Sequence, residues 1–142
     1  MPHLSFLQID YRPGPGLLIG RWLRAVTEGE LYASYPALLE TALAHGCRYW
    51  LLDARRRLNV EVAITPWLLN DFAPRLGQHL GGRVFLAYLV APIQMTDAVP
   101  ADKVIPPQVY FDGKSCLMQR FIDEDAALAW LQQHQALAAT KG

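Results

Sequence analysis

Charge is scarce in this 142-residue chain: 18% of its residues are Asp, Glu, Lys or Arg, and 13 basic side chains balance 13 acidic ones. A balanced chain lacks the cationic field that gathers phosphates, so nucleic acid is not expected as a partner. Cysteine is nearly absent. Cys47 and Cys116 stand far apart, without Cys-x-x-Cys or Cys/His spacing, and read as reduced, buried thiols of an intracellular protein. The histidines, His3, His45, His79 and His134, form no His-x-His or His-Glu-x-x-His pattern, so neither a metal nor a cofactor is expected. His45 and His79 suit the last turns of helices, where a partly positive ring meets the dipole.

Long apolar runs are missing too. The longest uncharged stretch, Val84 to Thr96, contains Pro92 and falls well short of the roughly 20 residues that a membrane helix needs. The opening Met1-Pro2-His3-Leu4 has no basic segment followed by an apolar one, and a cytoplasmic location is expected. Catalytic signatures are absent as well: there is no Gly-x-Ser-x-Gly elbow. Gly14-Pro15-Gly16 and Gly20 have the wrong spacing for a dinucleotide loop and lead into a strand rather than a helix.

What is abundant is hydrophobicity, at 52% of residues. A chain of this length forms one domain, 1–142, and its apolar excess suggests surface covered by a second copy or by a ligand. Leu4–Tyr11 and Leu17–Leu23 flank Pro13-Gly14-Pro15-Gly16 and read as a hairpin. Thr27 with Glu30 has capping-box spacing, and Leu31, Tyr35, Leu38, Leu39, Ala42 and Leu43 follow a helical period to Gly46. Pro36 is expected to break this helix early, with Ser34 as a second cap. Tyr49-Trp50-Leu51-Leu52-Asp53 is a continuous apolar strand, the pattern of one covered on both faces.

Thr65-Pro66 opens the next helix, whose inner face is Leu68, Leu69, Phe72, Leu76 and Leu80, with a kink or early end at Pro74. Val84–Val90 is the most strand-like run. Ala91–Gln108, with four prolines, reads as one long loop. Asp112-Gly113 joins Val109–Phe111 to Cys116–Phe121 as a second hairpin. Asp123 caps a last helix carrying Ala127, Trp130, Leu131, His134 and Ala138 on one side. Strands alternating with helices imply an α/β fold with a mixed, mostly parallel sheet, an N-terminal antiparallel hairpin and helices packed on it.

This order resembles the STAS domain, the fold of anti-sigma-factor antagonists and of sulfate-transporter tails, and more closely the bacterial STAS/SEC14-like domains of unknown function. The resemblance is carried by Leu17–Leu23 as second strand, by Tyr49–Asp53 as an aspartate-ended central strand, and by Phe121–Leu131 as the closing strand-to-helix segment. It implies a regulatory or protein-interaction role. Partner-switching members carry a phosphorylatable residue at the start of the helix after the aspartate-ended strand. Thr65 holds that position, but Ala63-Ile64-Thr65-Pro66-Trp67 replaces the usual Asp-Ser-Ser-Gly run. As a helix cap Thr65 needs no other role.

The most suggestive cluster is Asp53 with Arg55, Arg56 and Arg57, since ligands of open α/β sheets bind beyond the carboxyl ends of the strands. Guanidinium forks there could hold a phosphate or carboxylate. Such runs are more commonly a solvated loop pairing with acids such as Asp53 and Glu61. Trp22, Trp50 and Trp67 are expected to converge on the same end, as a ligand pocket or as core and interface anchors. The leading expectation is a non-enzymatic, homodimeric interaction module using the Asp53–Trp67 face. The alternative is a small-molecule or lipid carrier holding an anionic or apolar ligand in an arginine-flanked aromatic pocket. An enzyme using Asp53 as acid or base is the weakest of the three, because nearby arginines oppose a raised carboxyl pKa.

Overall fold

The structure, a computed structural model, describes residues 4–57, 67, 71–92 and 116–141, with the side chains of 139–141 left out. Thr65, Leu68 and Leu69, the Val109–Phe111 strand with its Asp112-Gly113 turn, and most of the Ala91–Gln108 loop lie outside the described residues.

Among the described residues eight elements follow in order: β1 (Leu7–Arg12), β2 (Leu17–Trp22), α1 (Glu28–His45), β3 (Tyr49–Asp53), α2 (Ala73–Leu80), β4 (Val84–Leu89), β5 (Cys116–Phe121) and α3 (Glu124–Lys141). They build one five-stranded sheet in the order β1-β2-β3-β4-β5. The first pair is antiparallel and the other three are parallel. The fold is therefore α/β with a mixed sheet. Cys116–Phe121 forms its strand by lying parallel to β4, in register from Val84 opposite Cys116 to Leu89 opposite Phe121. No helix among the described residues is long and apolar enough to cross a membrane.

The two-residue strand period assigns the faces. Leu18, Gly20, Trp22, Trp50, Leu52, Leu86 and Tyr88 share one face through the β2–β3–β4 register, and α1 and α2 pack there. Leu17, Ile19, Arg21, Leu51, Asp53, Phe85 and Ala87 share the other, under α3. All six residues of β4 are buried, as expected for a parallel strand between two helical layers. At the β1 edge, α1 covers only one side. Leu7, Ile9 and Tyr11 turn inward, whereas Gln8, Asp10 and Arg12 are exposed.

Helix α1 begins as its sequence indicates. Thr27 Oγ1 accepts the Glu30 N–H at 3.2 Å, and the Glu30 carboxylate accepts the Thr27 N–H at 2.9 Å, a complete capping box. Gly46 ends it in the left-handed conformation at φ 60°, where a side chain is disfavoured. The helix continues through Pro36, against expectation. Ser34 is not a cap: its hydroxyl donates to Glu30 O at 2.8 Å and accepts the Trp22 indole N–H at 3.0 Å. Burial of the helix against the sheet outweighs the hydrogen bond that proline cannot make, because Leu31, Tyr35, Leu38 and Ala42 on both sides of Pro36 are fully covered. The buried stripe also takes in Ala37 and Thr41 and leaves Leu43 exposed.

Pro74 lies in the first turn of α2, where its missing N–H costs no helical bond, and Asp71 and Phe72 just before it are π-helical, so the helical path changes at this proline rather than ending there. Asp123 caps α3 as expected, accepting the Ala126 N–H at 2.9 Å. Of the expected inner face, Ala127 and Leu131 are buried, Trp130 and His134 half-buried, and Ala138 exposed. The apolar content that suggested a homodimer is largely consumed by a sheet covered on both faces. Among the described residues the exposed large hydrophobics are Leu23, Leu43, Ile122 and Leu137.

Candidate functional site

The carboxyl ends of β2 and β3 bring together side chains distant in sequence. Arg21 and Asp53 are register partners, so both point to the α3 face. The first turn of α3 delivers Glu124 to the same place. Arg21 Nη1 donates to Asp53 Oδ2 at 3.0 Å and to Glu124 Oε1 at 2.8 Å, and its Nη2 donates to Glu124 Oε2 at 3.3 Å. Arg55 folds back on the strand it has just left. Its Nε and Nη2 donate to the two Asp53 oxygens at 3.0 and 2.9 Å, and its backbone N–H donates to Oδ1 at 3.1 Å.

The electrostatics of this cluster keep every member ionised near neutrality. Burial alone would raise the Asp53 carboxyl, but hydrogen bonds from the Arg55 side chain and backbone and from Arg21 outweigh it, and the pKa lies below the ordinary 3.8. Glu124 is lowered mainly by its hydrogen bond from Arg21. Arg21 and Arg55 are correspondingly raised, chiefly by Glu124 and Asp53. A carboxylate gripped in this way is a poor proton donor or acceptor near pH 7.

A cleft of about 520 Å³ opens over the cluster, lined by Gln8, Arg21, Trp22, Leu23, Asp53, Arg55 and Arg56. Arg56 is exposed and has no hydrogen-bond or ion-pair partner among the described residues. The cleft lining carries three guanidinium groups and one carboxylate, and Glu124 neutralises part of the excess from outside. The geometry suits a carboxylate- or phosphate-bearing group approaching Arg56 beside the exposed Leu23.

The three consecutive arginines do not act together. Arg55 belongs to the ion-pair cluster and Arg56 to the cleft wall, while Arg57 is 2% exposed. Its guanidinium carbon lies 4.3 Å from the centroid of the Trp22 ring, and its Nη1 donates to Tyr35 Oη at 3.3 Å. The structure thus corrects the expectation of a joint three-arginine grip. A chain leaving a strand turns successive side chains to different sides, and here the third one drops beneath the surface.

Two of the three tryptophans converge. Tyr35 links them, with its ring 5.8 Å from Trp22 and 5.7 Å from Trp67, which stacks on Phe72 at 5.2 Å. Trp50 does not join them. It sits near the amino end of β3, fully buried, with its indole N–H donated to Cys47 O at 2.9 Å. Thr65 lies outside the described residues. No group of three His, Cys, Asp or Glu side chains able to hold a metal occurs among the described residues.

Sequence reasoning missed Arg21 and Glu124. Arg21 had a readable signal, as the lone charge in the apolar Leu17–Leu23 strand, in phase with Leu17 and Ile19. Glu124 gave none, since its acidic place in a first helical turn is ordinary. Comparison with known proteins brings no family model, no curated protein and no solved structure that matches this chain.

Proposed function

We propose that the chain is a non-enzymatic, STAS-like regulatory or protein-interaction module, cytoplasmic and homodimeric, whose working face is the cleft at the carboxyl ends of β2 and β3. The observation that carries this reading is the pairing of a locked ion cluster with a spare cation. Asp53 is fully engaged by Arg21 and Arg55, so it serves as scaffold, while Arg56, at the cleft wall, has no partner among the described residues. That arrangement supports recognition of an acidic segment on a partner protein. The mixed sheet with its antiparallel opening hairpin is the architecture that the STAS resemblance implies, and it supports the module reading to that extent.

Native mass spectrometry of the protein isolated from its source cells reads subunit count and retained partner in one spectrum. Arg56→Glu is the matching perturbation, because Arg56 makes no hydrogen bond or ion pair with the described residues. It is expected to leave thermal stability unchanged and to weaken the partner complex at least ~10-fold, with a steeper loss at low salt. Equal affinity of the wild type and the variant for the same partner would remove the cleft from consideration.

A further inference from the structure

Arg21 commits only part of its guanidinium to the ion cluster. Nη1 spends one hydrogen on Asp53 Oδ2 at 3.0 Å and the other on Glu124 Oε1 at 2.8 Å, and Nη2 spends one on Glu124 Oε2 at 3.3 Å. Nε–H and the second Nη2 hydrogen have no acceptor among the described residues. Those two lie along one edge of the planar group, the side-on fork that takes both oxygens of a carboxylate. Arg55 in this same chain uses that edge to grip Asp53, at 3.0 and 2.9 Å.

The free edge of Arg21 is open to a ligand. Among the described residues Arg57 Nε is the buried side-chain polar atom that lacks a partner, so Arg21 Nε, which also lacks one, reaches solvent. Among the same residues helix α3 packs over β3, β4 and β5 and not over β1. At the uncovered side Gln8 and Arg21 stand opposite each other in the β1–β2 register, and both line the cleft of about 520 Å³. That volume lies within the range of sites that hold small ligands. Asp53 and Glu124 fix the Arg21 side chain from the other edge, so the fork is held in place before anything binds.

Charge and lining define what fits. The cluster sets three guanidinium groups, Arg21, Arg55 and Arg56, against two carboxylates, Asp53 and Glu124, and so leaves one positive charge. A single carboxylate balances it. The second charge of a phosphate would instead meet Asp53 and Glu124, which lie 3.0 and 2.8 Å from Arg21. Leu23, 40% exposed, lines the same cleft and offers its side chain to an apolar neighbour of the acid group.

Building on the reading of this cleft as the working face, we propose that its ligand is a single carboxylate carried next to an apolar side chain. The carboxylate accepts side-on from Arg21 Nε and Nη2, Arg56 adds its charge from the cleft wall, and the apolar group rests on Leu23. On a partner protein the carboxylate is either an Asp or Glu side chain or the end of the chain.

Titrating the isotope-labelled full chain with short peptides, and following the arginine Nε–H resonances by NMR, tests it. The two carboxylate probes are acetyl-Leu-Glu-amide and acetyl-Gly-Leu with a free C-terminus; the controls are acetyl-Leu-Gln-amide, acetyl-Gly-Leu-amide and acetyl-Leu-phosphoserine-amide. At least one carboxylate probe is expected to move the Arg21 Nε–H resonance at millimolar concentration, with its own uncharged control at least ~10-fold weaker and the phosphoserine peptide no tighter. Which of the two moves it tells a side chain from a chain end. Arg21→Lys, which keeps the charge and removes the fork, should weaken that probe ~3- to 10-fold. An Arg21 resonance unmoved by both carboxylates overturns the proposal. So does an equal response to the uncharged control, tighter binding of phosphoserine, or unchanged affinity in Arg21→Lys. A carboxylate that moves the Arg56 resonance and not that of Arg21 sinks this inference alone, whereas a partner complex indifferent to Arg56→Glu removes the cleft reading itself.

Discussion

Replacing Asp53 by asparagine is the sharpest perturbation of the ion cluster. The carboxylate accepts four N–H groups: Oδ1 takes the Arg55 backbone at 3.1 Å and Arg55 Nε at 3.0 Å, and Oδ2 takes Arg55 Nη2 at 2.9 Å and Arg21 Nη1 at 3.0 Å. An amide carbonyl in the Oδ1 position keeps the first two. The amide nitrogen then faces two guanidinium donors, so two charge-assisted bonds are lost. Buried, each would be worth about 1.5–3 kcal/mol. The Arg21 and Arg55 side chains are 26% and 44% exposed, so solvent screening brings the figure down to about 1 kcal/mol each. Asp53→Asn is therefore expected to cost about 2 kcal/mol at pH 7, or roughly 7 °C in Tm for a domain of this size.

The sign of the pH dependence follows from the lowered carboxyl. Its folded pKa lies below 3.8, so on acidification the unfolded chain binds the proton first. The advantage of wild type over variant is complete above about pH 5 and disappears as pH falls through the folded value. Urea unfolding followed by tryptophan fluorescence at pH 7, 5, 3 and 2 measures it. The gap between the two proteins should hold from pH 7 to 5, narrow at pH 3 and be smallest at pH 2. A gap that stays constant down to pH 2, or is absent at pH 7, refutes the reasoning.

Packing and thiol chemistry give two further expectations. A Cβ at Gly20 would stand 2.7 Å from Leu38 Cδ2 and 3.1 Å from Leu52 Cδ2, so Gly20→Ala should cost about 1–3 kcal/mol. Combined with Leu38→Ala it should cost less than the sum of the single changes by at least about 0.5 kcal/mol; additive costs in urea titrations would show that the contact is not limiting. Burial raises the Cys47 thiol and pushes Cys116 up to about 12. Both should react with a disulfide reagent at pH 8 only as fast as the protein opens, and rapid titration of both in native buffer would contradict that.

Local chemistry was legible in the chain itself. The Thr27–Glu30 box, the Gly46 stop and the Asp123 cap are short-range hydrogen-bond arrangements, so the residues that make them are also the residues that announce them. The continuous apolar runs of β3 and β4 announced a sheet covered on both sides, and the alternation of elements announced its mostly parallel order.

The site was legible only in part. Asp53 was readable from its place at a strand end, but its partners depend on register and on the return of α3, separations of 32 residues to Arg21 and, for Arg21 to Glu124, of 103. Composition carries no information on such pairings, because they are decided by which strands lie side by side. Pro36 shows the same division. Local preference opposes it within a helix, yet burial on both sides carries the helix through it. Sequence alone determined the class of fold, most of the described elements, and the Thr27, Gly46 and Asp123 helix ends. Tertiary structure decided which arginine became scaffold, which faced solvent and which was buried among aromatic rings, because a side chain's partner is set by the packing of distant segments and not by its neighbours in the chain.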